Sequence, residues 1–288
     1  MRGRSLLVPR FFFPVMCPYP IYSKRSRCFV PCGKCGACLK RQISDYTLRC
    51  QVEWRIAEKC YFVTLTYEKD PLQLYKKDLQ SFFKRMRKVG FKFSYFALGD
   101  YGDTFGRPHY HVLFFSKGFF NPVYLHSLWI SGDQTRTRGF IDVKPVTMGR
   151  IAYVVRYGFL AKLDFKKDGR QKPFFLMSRR PALGASYITA NSKRWHLHND
   201  FWYFPDGKWK KPLPRFFKDK IFSRFTRDLH NVRYLDEAQD KKDRELKALS
   251  ASNTNPLKVW HEARLDVANS YLNDLRLKKL SKNKLLKM

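Results

Sequence analysis

Negative charge is what this chain has least of: 24 aspartates and glutamates stand against 57 lysines and arginines, a formal net charge of +33. Self-repulsion of that size opposes compaction unless a polyanion screens it. The composition therefore points to a phosphate-rich partner, nucleic acid before an anionic membrane surface. Long apolar runs are lacking too: none reaches the roughly 20 residues that a spanning helix needs. The start, Met1-Arg2-Gly3-Arg4 followed by Ser5-Leu6-Leu7-Val8, resembles a signal n-region, but Pro9 and Arg10 interrupt it and no small-residue cleavage site follows. A cytoplasmic setting is the expectation. There is no H-E-x-x-H segment and no third histidine beside the pair described below, so a zinc hydrolase is disfavoured. No internal repeat is visible.

The 288 residues are 44% hydrophobic and 17% aromatic, with 26 phenylalanines. That suffices for a buried sheet core, and it also suits base stacking. All seven cysteines fall between Cys17 and Cys60. The run Pro31-Cys32-Gly33-Lys34-Cys35-Gly36-Ala37-Cys38 contains two overlapping C-x-x-C units. Glycines between thiols let a tight turn aim several thiolates at one centre, as tetrahedral zinc requires. Cys17 or Cys28 supplies the fourth ligand, with Cys17 preferred. Redox-active thiols, an iron–sulfur cluster and unliganded cysteines are the competing readings. An odd count in a reducing compartment argues against a disulfide framework. Cys50 and Cys60 read as buried small hydrophobes.

Along the chain, residues 1–38 read as an irregular arm ending in the cysteine knot. Residues 39–59, free of glycine and proline, have helical periodicity. Tyr61–Tyr67 reads as a strand and Tyr75–Val89 as a basic amphipathic helix stopped by Gly90. Phe91–Leu98 reads as a strand entering a turn, Gly99-Asp100-Tyr101-Gly102, and His109–Phe115 as the next strand. A short helix near Pro122–Trp129, a strand near Gly139–Val143 and a helix over 149–162 follow. This order predicts an α+β fold, an antiparallel sheet with helices packed on one face. The domain reading is a knot-bearing arm (1–38), a sheet-centred nuclease domain (39–214) and a basic, partly helical or disordered tail (215–288). Between 170 and 211 no clear period emerges, and Arg276–Met288 contains no acidic residue.

Three groups of residues carry chemistry. His109 and His111 alternate in a strand, so both imidazoles point to one face as a two-ligand platform for a divalent metal, while Tyr110 points to the other. Asp100, closing the preceding strand, is a candidate third ligand; the bland alternative is a turn aspartate. Tyr153 and Tyr157, four apart on a helix, place both rings on one face with Cβ atoms about 5–6 Å apart. One phenol can attack a phosphodiester and the other can attack the regenerated junction; the alternative is an aromatic pair packed on the sheet. Arg156 and Lys162 are nearby cations able to favour a phenolate or hold phosphate.

In this order, the motifs Pro31-Cys32-Gly33-Lys34-Cys35-x-x-Cys38, Thr64-Leu65-Thr66-Tyr67, Gly99-Asp100-Tyr101-Gly102, Arg107-Pro108-His109-Tyr110-His111, Tyr153-x-x-x-Tyr157 and Ser178-Arg179-Arg180-Pro181-x-x-Gly184 resemble the replication initiators of small single-stranded DNA bacteriophages. These are the microviruses, especially the gokushovirus branch, within the HUH endonuclease superfamily. The resemblance implies an HUH endonuclease-like fold with the histidine pair on a central strand and a Mg²⁺ or Mn²⁺ ion held there. It implies nicking of origin DNA, a 5′-phosphotyrosine link, a free 3′-OH for host polymerase, and later rejoining. The implied setting is the cytoplasm of a bacterial host, with single-stranded origin DNA, host helicase and host polymerase as partners and no membrane. Two departures stand out: Asp100 sits where the family more often has glutamate, and the lysine usually three residues past the second tyrosine is displaced to Lys162. A non-enzymatic zinc-knuckle protein that coats single-stranded DNA is the alternative from another class.

Overall fold

The computed structural model describes residues 17–24, 28–102, 105–131, 138–165, 169–207, 209–251 and 255–285. The first sixteen residues of the expected N-terminal arm, and the last three of the basic tail, lie outside that set. In chain order the elements are β1 (Ile21–Ser23), β2 (Cys28–Val30), α1 (Gly36–Ile56), β3 (Lys59–Tyr67), α2 (Lys76–Lys88), β4 (Phe93–Tyr101), β5 (Pro108–Ser116), α3 (Pro122–Ile130), β6 (Arg138–Pro145), α4 (Met148–Asp164), β7 (Phe174–Met177), α5 (Ala190–His198), β8 (Tyr203–Asp206), β9 (Trp209–Pro212), α6 (Arg215–Ile221), α7 (Arg224–Ser250) and α8 (Pro256–Leu285). They fall into two units, Ile43–Ile221 and the pair of segments Met1–Gln42 and Phe222–Met288.

The first unit is built on a five-stranded sheet in the order β6-β3-β5-β4-β7. Each pairing is antiparallel. This is the α+β architecture expected, with one difference: helices cover both faces of the sheet rather than one. The reason is in β5. Tyr110, Val112 and Phe114 are buried on one side, and Leu113 and Phe115 on the other, so neither face can be left to solvent. Against the Tyr110 side pack α2 and α3, where Phe82 meets Phe114 (ring centroids 6.5 Å) and Trp129 meets Tyr110 (6.0 Å). On the opposite side, α1 brings Tyr46 against Phe96 (5.8 Å) and Phe159 of α4 (5.7 Å). Gly158 lets α4 lie close to the sheet, since a Cβ there would come 2.3 Å from the Phe175 ring.

Strand β4 runs further than the sequence suggests. Gly99-Asp100-Tyr101 stays in the ladder, with Asp100 directly across from His109, and the chain reverses only beyond it. Gly102 closes the reversal by donating its N–H to Arg107 O (2.9 Å). The Ser178–Gly184 motif is an anchoring loop. Ser178 exchanges hydrogen bonds with the Tyr95 backbone, donating its N–H to Tyr95 O and accepting at Oγ from Tyr95 N–H. Glu53 of α1 accepts from Gly184 N–H (2.7 Å), Ser186 Oγ (3.0 Å) and Ser94 Oγ (2.8 Å).

The second unit contains the β1–β2 hairpin, the start of α1, and the helices α7 and α8, so the tail is helical over its described length. Trp260 donates to Glu245 Oε2 (2.8 Å) and Arg264 stacks on Trp260 (3.8 Å to the centroid), joining α8 to α7.

Two tests follow from the core. The Tyr110 hydroxyl accepts from Tyr75 N–H (2.9 Å), donates to Tyr75 O (3.0 Å) and lies 2.7 Å from the Tyr67 hydroxyl, which donates to buried Asp78. Losing one member of a buried network leaves its partners unsatisfied. Tyr110→Phe is therefore expected to lower unfolding free energy by about 1–3 kcal/mol in chemical denaturation; an unchanged midpoint contradicts the assignment. His196 is fully buried, its Nδ1–H donating to Phe201 O (2.6 Å) and its Nε2 accepting from Tyr187 Oη (2.8 Å). Burial holds its pKa below the usual histidine value, against an opposing contribution from the Phe201 carbonyl. The unfolded chain thus takes up this proton first, near pH 6.5. The stability His196 contributes is complete above that pH and declines as pH falls through the lower folded-state pKa. Denaturation midpoints measured from pH 7.5 to 5 should fall less steeply in His196→Gln than in the parent; equal slopes refute this.

Candidate active site

The candidate site lies on the sheet face that α4 covers, and strand alternation sets its composition. On β5, His109 and His111 share this face, and their cross-strand partners share it with them. On β3 those partners are Thr66 and Thr64; on β4 they are Asp100 and Leu98. The two Nε2 atoms are 3.1 Å apart. His109 Nδ1 is 3.1 Å from Arg107 O, an acceptor only, so Nδ1 carries the proton and Nε2 presents a lone pair. His111 Nδ1 is 3.2 Å from Thr64 Oγ1. That hydroxyl serves either tautomer, donating to Nδ1 or accepting from it. Phe62 stacks on the His111 ring (5.5 Å, 17°). Burial, reinforced by the His109 imidazole beside it, holds His111 well below the usual histidine range, so it is neutral at physiological pH.

Helix α4 starts at Thr147, whose side chain caps Arg150 N–H. It brings Tyr153 over the imidazoles, with its ring centroid 6.1 Å from that of His111, edge to face. Tyr157 stacks one turn further on, 5.3 Å from Tyr153. The phenols differ in access: Tyr157 is buried at 5% exposure, whereas Tyr153 is half-buried. The expected convergence of the histidine pair and the tyrosine pair on one side of the sheet is thus present. Lys162 is elsewhere. It lies about 140° around the helix from Tyr157, with its ammonium over the Phe175 ring (5.8 Å). Arg150, on the first turn of α4, extends over Phe62 (6.0 Å), the ring stacked on His111.

The donor set fits a divalent ion. Two ligands at right angles and about 2.1 Å from a metal lie roughly 3 Å apart, which the Nε2 separation matches. Imidazole nitrogens suit Mn²⁺ better than Mg²⁺, which favours an all-oxygen shell. Asp100 is buried on the same face, but among the described residues its carboxylate does not join both imidazoles in a group of ligand atoms mutually within 4.8 Å. The sequence reading did not single out Thr64, Phe62 or Arg150. The signal for Thr64 was its place in Thr64-Leu65-Thr66, a strand with the same alternation as His109-Tyr110-His111.

In the other unit, Cys17, Cys32, Cys35 and Cys38 do form such a group, their sulfurs all within 4.8 Å of one another. Cys50 is fully buried on α1, and Cys60 is half-buried with its thiol donating to Trp54 O (3.8 Å).

Residues 60–162, which span both histidines and both tyrosines, match the family model of the replication-associated protein ORF2. The chain is 29% identical over 222 residues to replication-associated protein ORF4 of Chlamydia phage 1, covering 67% of this chain and 53% of that protein. It is 26% identical to replication-associated protein VP4 of Bdellovibrio phage phiMH2K (66% of each) and 26% identical to replication-associated protein ORF2 of Spiroplasma virus 4 (75% of this chain, 73% of that one). It thus spans about half the length of the Chlamydia phage relative. The crystal structure of hypothetical protein ORF119 from Sulfolobus islandicus rod-shaped virus 1 aligns over 43% of this chain and 99% of its own at 19% identity, with a TM-score of 0.29, too slight a likeness to argue from. On these likenesses the chain is a relative of the replication-associated proteins of small single-stranded DNA phages.

Proposed function

We propose that this chain initiates rolling-circle replication by nicking single-stranded origin DNA through tyrosine attack and later rejoining the ends. The observation that carries the reading is the approach of Tyr153 to His111 on the same face of the sheet. The replication-associated relatives support it from the side of biology.

Tyr153 is the first nucleophile in this account, because it is the more exposed phenol and the one beside the imidazoles. Its oxygen forms a bond to phosphorus as the P–O3′ bond breaks. The phenol proton is lost, the departing 3′ oxygen takes one up, and the products are a 5′-phosphotyrosine and a free 3′-OH. Tyr157, stacked behind it, attacks the regenerated junction once the first strand segment has moved. His109 and His111, with Asp100 turning in as third ligand, would hold a Mn²⁺ or Mg²⁺ that polarises a non-bridging phosphate oxygen. Thr64 and the Arg107 carbonyl orient the two rings so that their Nε2 atoms converge. Arg150 is the cation we assign to the incoming phosphate; Lys162, turned away from the phenols, serves DNA further along. The excess positive charge draws the strand in and makes binding strongly salt-dependent. The site of action would be the bacterial cytoplasm, with host helicase and polymerase taking over at the free 3′-OH.

The test uses single-stranded oligonucleotides tiling the genome that encodes the chain, incubated with full-length protein and Mn²⁺ and run on a denaturing gel. One sequence should give a covalent adduct. Tyr153→Phe should reduce first-cleavage adduct to background, whereas Tyr157→Phe should retain it and lose rejoining. Binding of every oligonucleotide with no adduct under any metal would instead identify a DNA-coating protein.

A further inference from the structure

Outside the sheet, the four clustered thiols belong to no part of the nicking machinery. They stand in the unit formed by Met1–Gln42 and Phe222–Met288. Cys32 and Cys38 sulfurs are 3.9 Å apart, and those of Cys35 and Cys17 are 3.8 Å apart. Four thiolates at about 2.3 Å around a tetrahedral ion lie roughly 3.8 Å from one another. A disulfide requires about 2.05 Å, so the thiols are spaced for a shared ion and not for cross-linking. An iron–sulfur cluster interposes sulfide between iron and iron and holds its cysteines further apart than a single ion does.

The backbone is arranged for sulfur that carries charge. Cys32 N–H points at Cys17 Sγ (3.3 Å), and the N–H groups of Lys34 and Cys35 both point at Cys32 Sγ (3.4 and 3.3 Å). Gly33 turns the chain at a φ of +75°, which bends the loop back over Cys32, and its carbonyl accepts from Gln42 Nε2 (2.9 Å). Cys17 and Cys38 are buried and the other two half-buried, so the centre is shielded on one side.

We propose that Cys17, Cys32, Cys35 and Cys38 bind one zinc ion as a closed structural site. The nicking reading is not needed for this. The ion ties both ends of the β1–β2 hairpin to the first turn of α1. At that turn Gly36 touches the backbone of α8 so closely that a Cβ would come 1.9 Å from Ala268 O. Zinc therefore organises the whole unit, hairpin to terminal helix, and its binding free energy is folding free energy there.

The experiment is elemental analysis of purified full-length protein, in the parent and in a His109→Ala/His111→Ala double variant that removes the imidazoles as a source of bound metal. One zinc per chain is expected in both. Cobalt substitution should give the visible absorption of a four-thiolate tetrahedral centre. Mass spectrometry after alkylation should find these four thiols protected until a chelator is added, a readout that survives even if cysteine variants fail to fold. Cys17→Ser should lose the ion, and Cys28→Ser and Cys50→Ser should keep it. Metal-free protein, a brown iron–sulfide chromophore, equal alkylation with and without chelator, or loss of zinc in Cys28→Ser but not Cys17→Ser would each overturn the proposal.

Discussion

The pleat of β5 is the constraint from which the site follows. This strand is hydrogen-bonded on both sides, by β3 and by β4, so it cannot twist or slip without breaking two ladders. A slip of one residue would send every side chain to the wrong face. Locked in this way, His109 and His111 must look toward α4, and Tyr110 must look toward the α2–α3 core. The Tyr110 hydroxyl, bonded to the Tyr75 backbone and beside Tyr67, adds a second lock from the far side of the sheet. A reactive pair on one face is thus held by a structural tyrosine on the other, with one residue's spacing between them.

Helix α4 supplies the other half. Its approach depends on Gly158, whose missing side chain makes room for Phe175, and its start depends on the Thr147 cap. Together they set where Tyr153 sits over His111. The imidazoles are oriented by groups that cannot easily be replaced, a backbone carbonyl and a threonine hydroxyl. Preorganised donors cost little at the moment of reaction. The cysteine cluster belongs to a different layer of the design, a unit poor in sheet and rich in charged helix, where an ion supplies order that a small apolar core cannot.

Much of this was legible in the amino-acid sequence because local periodicity carries it. The His109/His111 alternation, the Tyr153/Tyr157 helical spacing and the Cys32/Cys35/Cys38 turns each fix a direction for side chains within a few residues. What local pattern does not carry is which elements are neighbours. That helices would flank both faces depends on the apolar character of alternate residues on both sides of β5, which reads equally as a continuous buried run. Asp100 reads as a turn residue because Gly-Asp-x-Gly is turn chemistry, yet the ladder with β5 continues through it and tertiary pairing overrides the local preference. The 170–211 stretch shows no period because its short elements are held by distant partners such as Glu53, which accepts from Gly184 across 131 residues of chain. Thr64 and Arg150 take their meaning from the strand order and from the start of α4, neither of which spacing alone reveals.

The central claim is that the face shared by His111 and Tyr153 is where a DNA strand becomes attached. Its most direct test is to trap the adduct, digest it and locate the added nucleotide by mass spectrometry of the peptide spanning residues 151–162. The account predicts a 5′-linked nucleotide on the phenol oxygen of Tyr153. A nucleotide on a serine, on a tyrosine outside α4, or linked through its 3′ phosphate would contradict it.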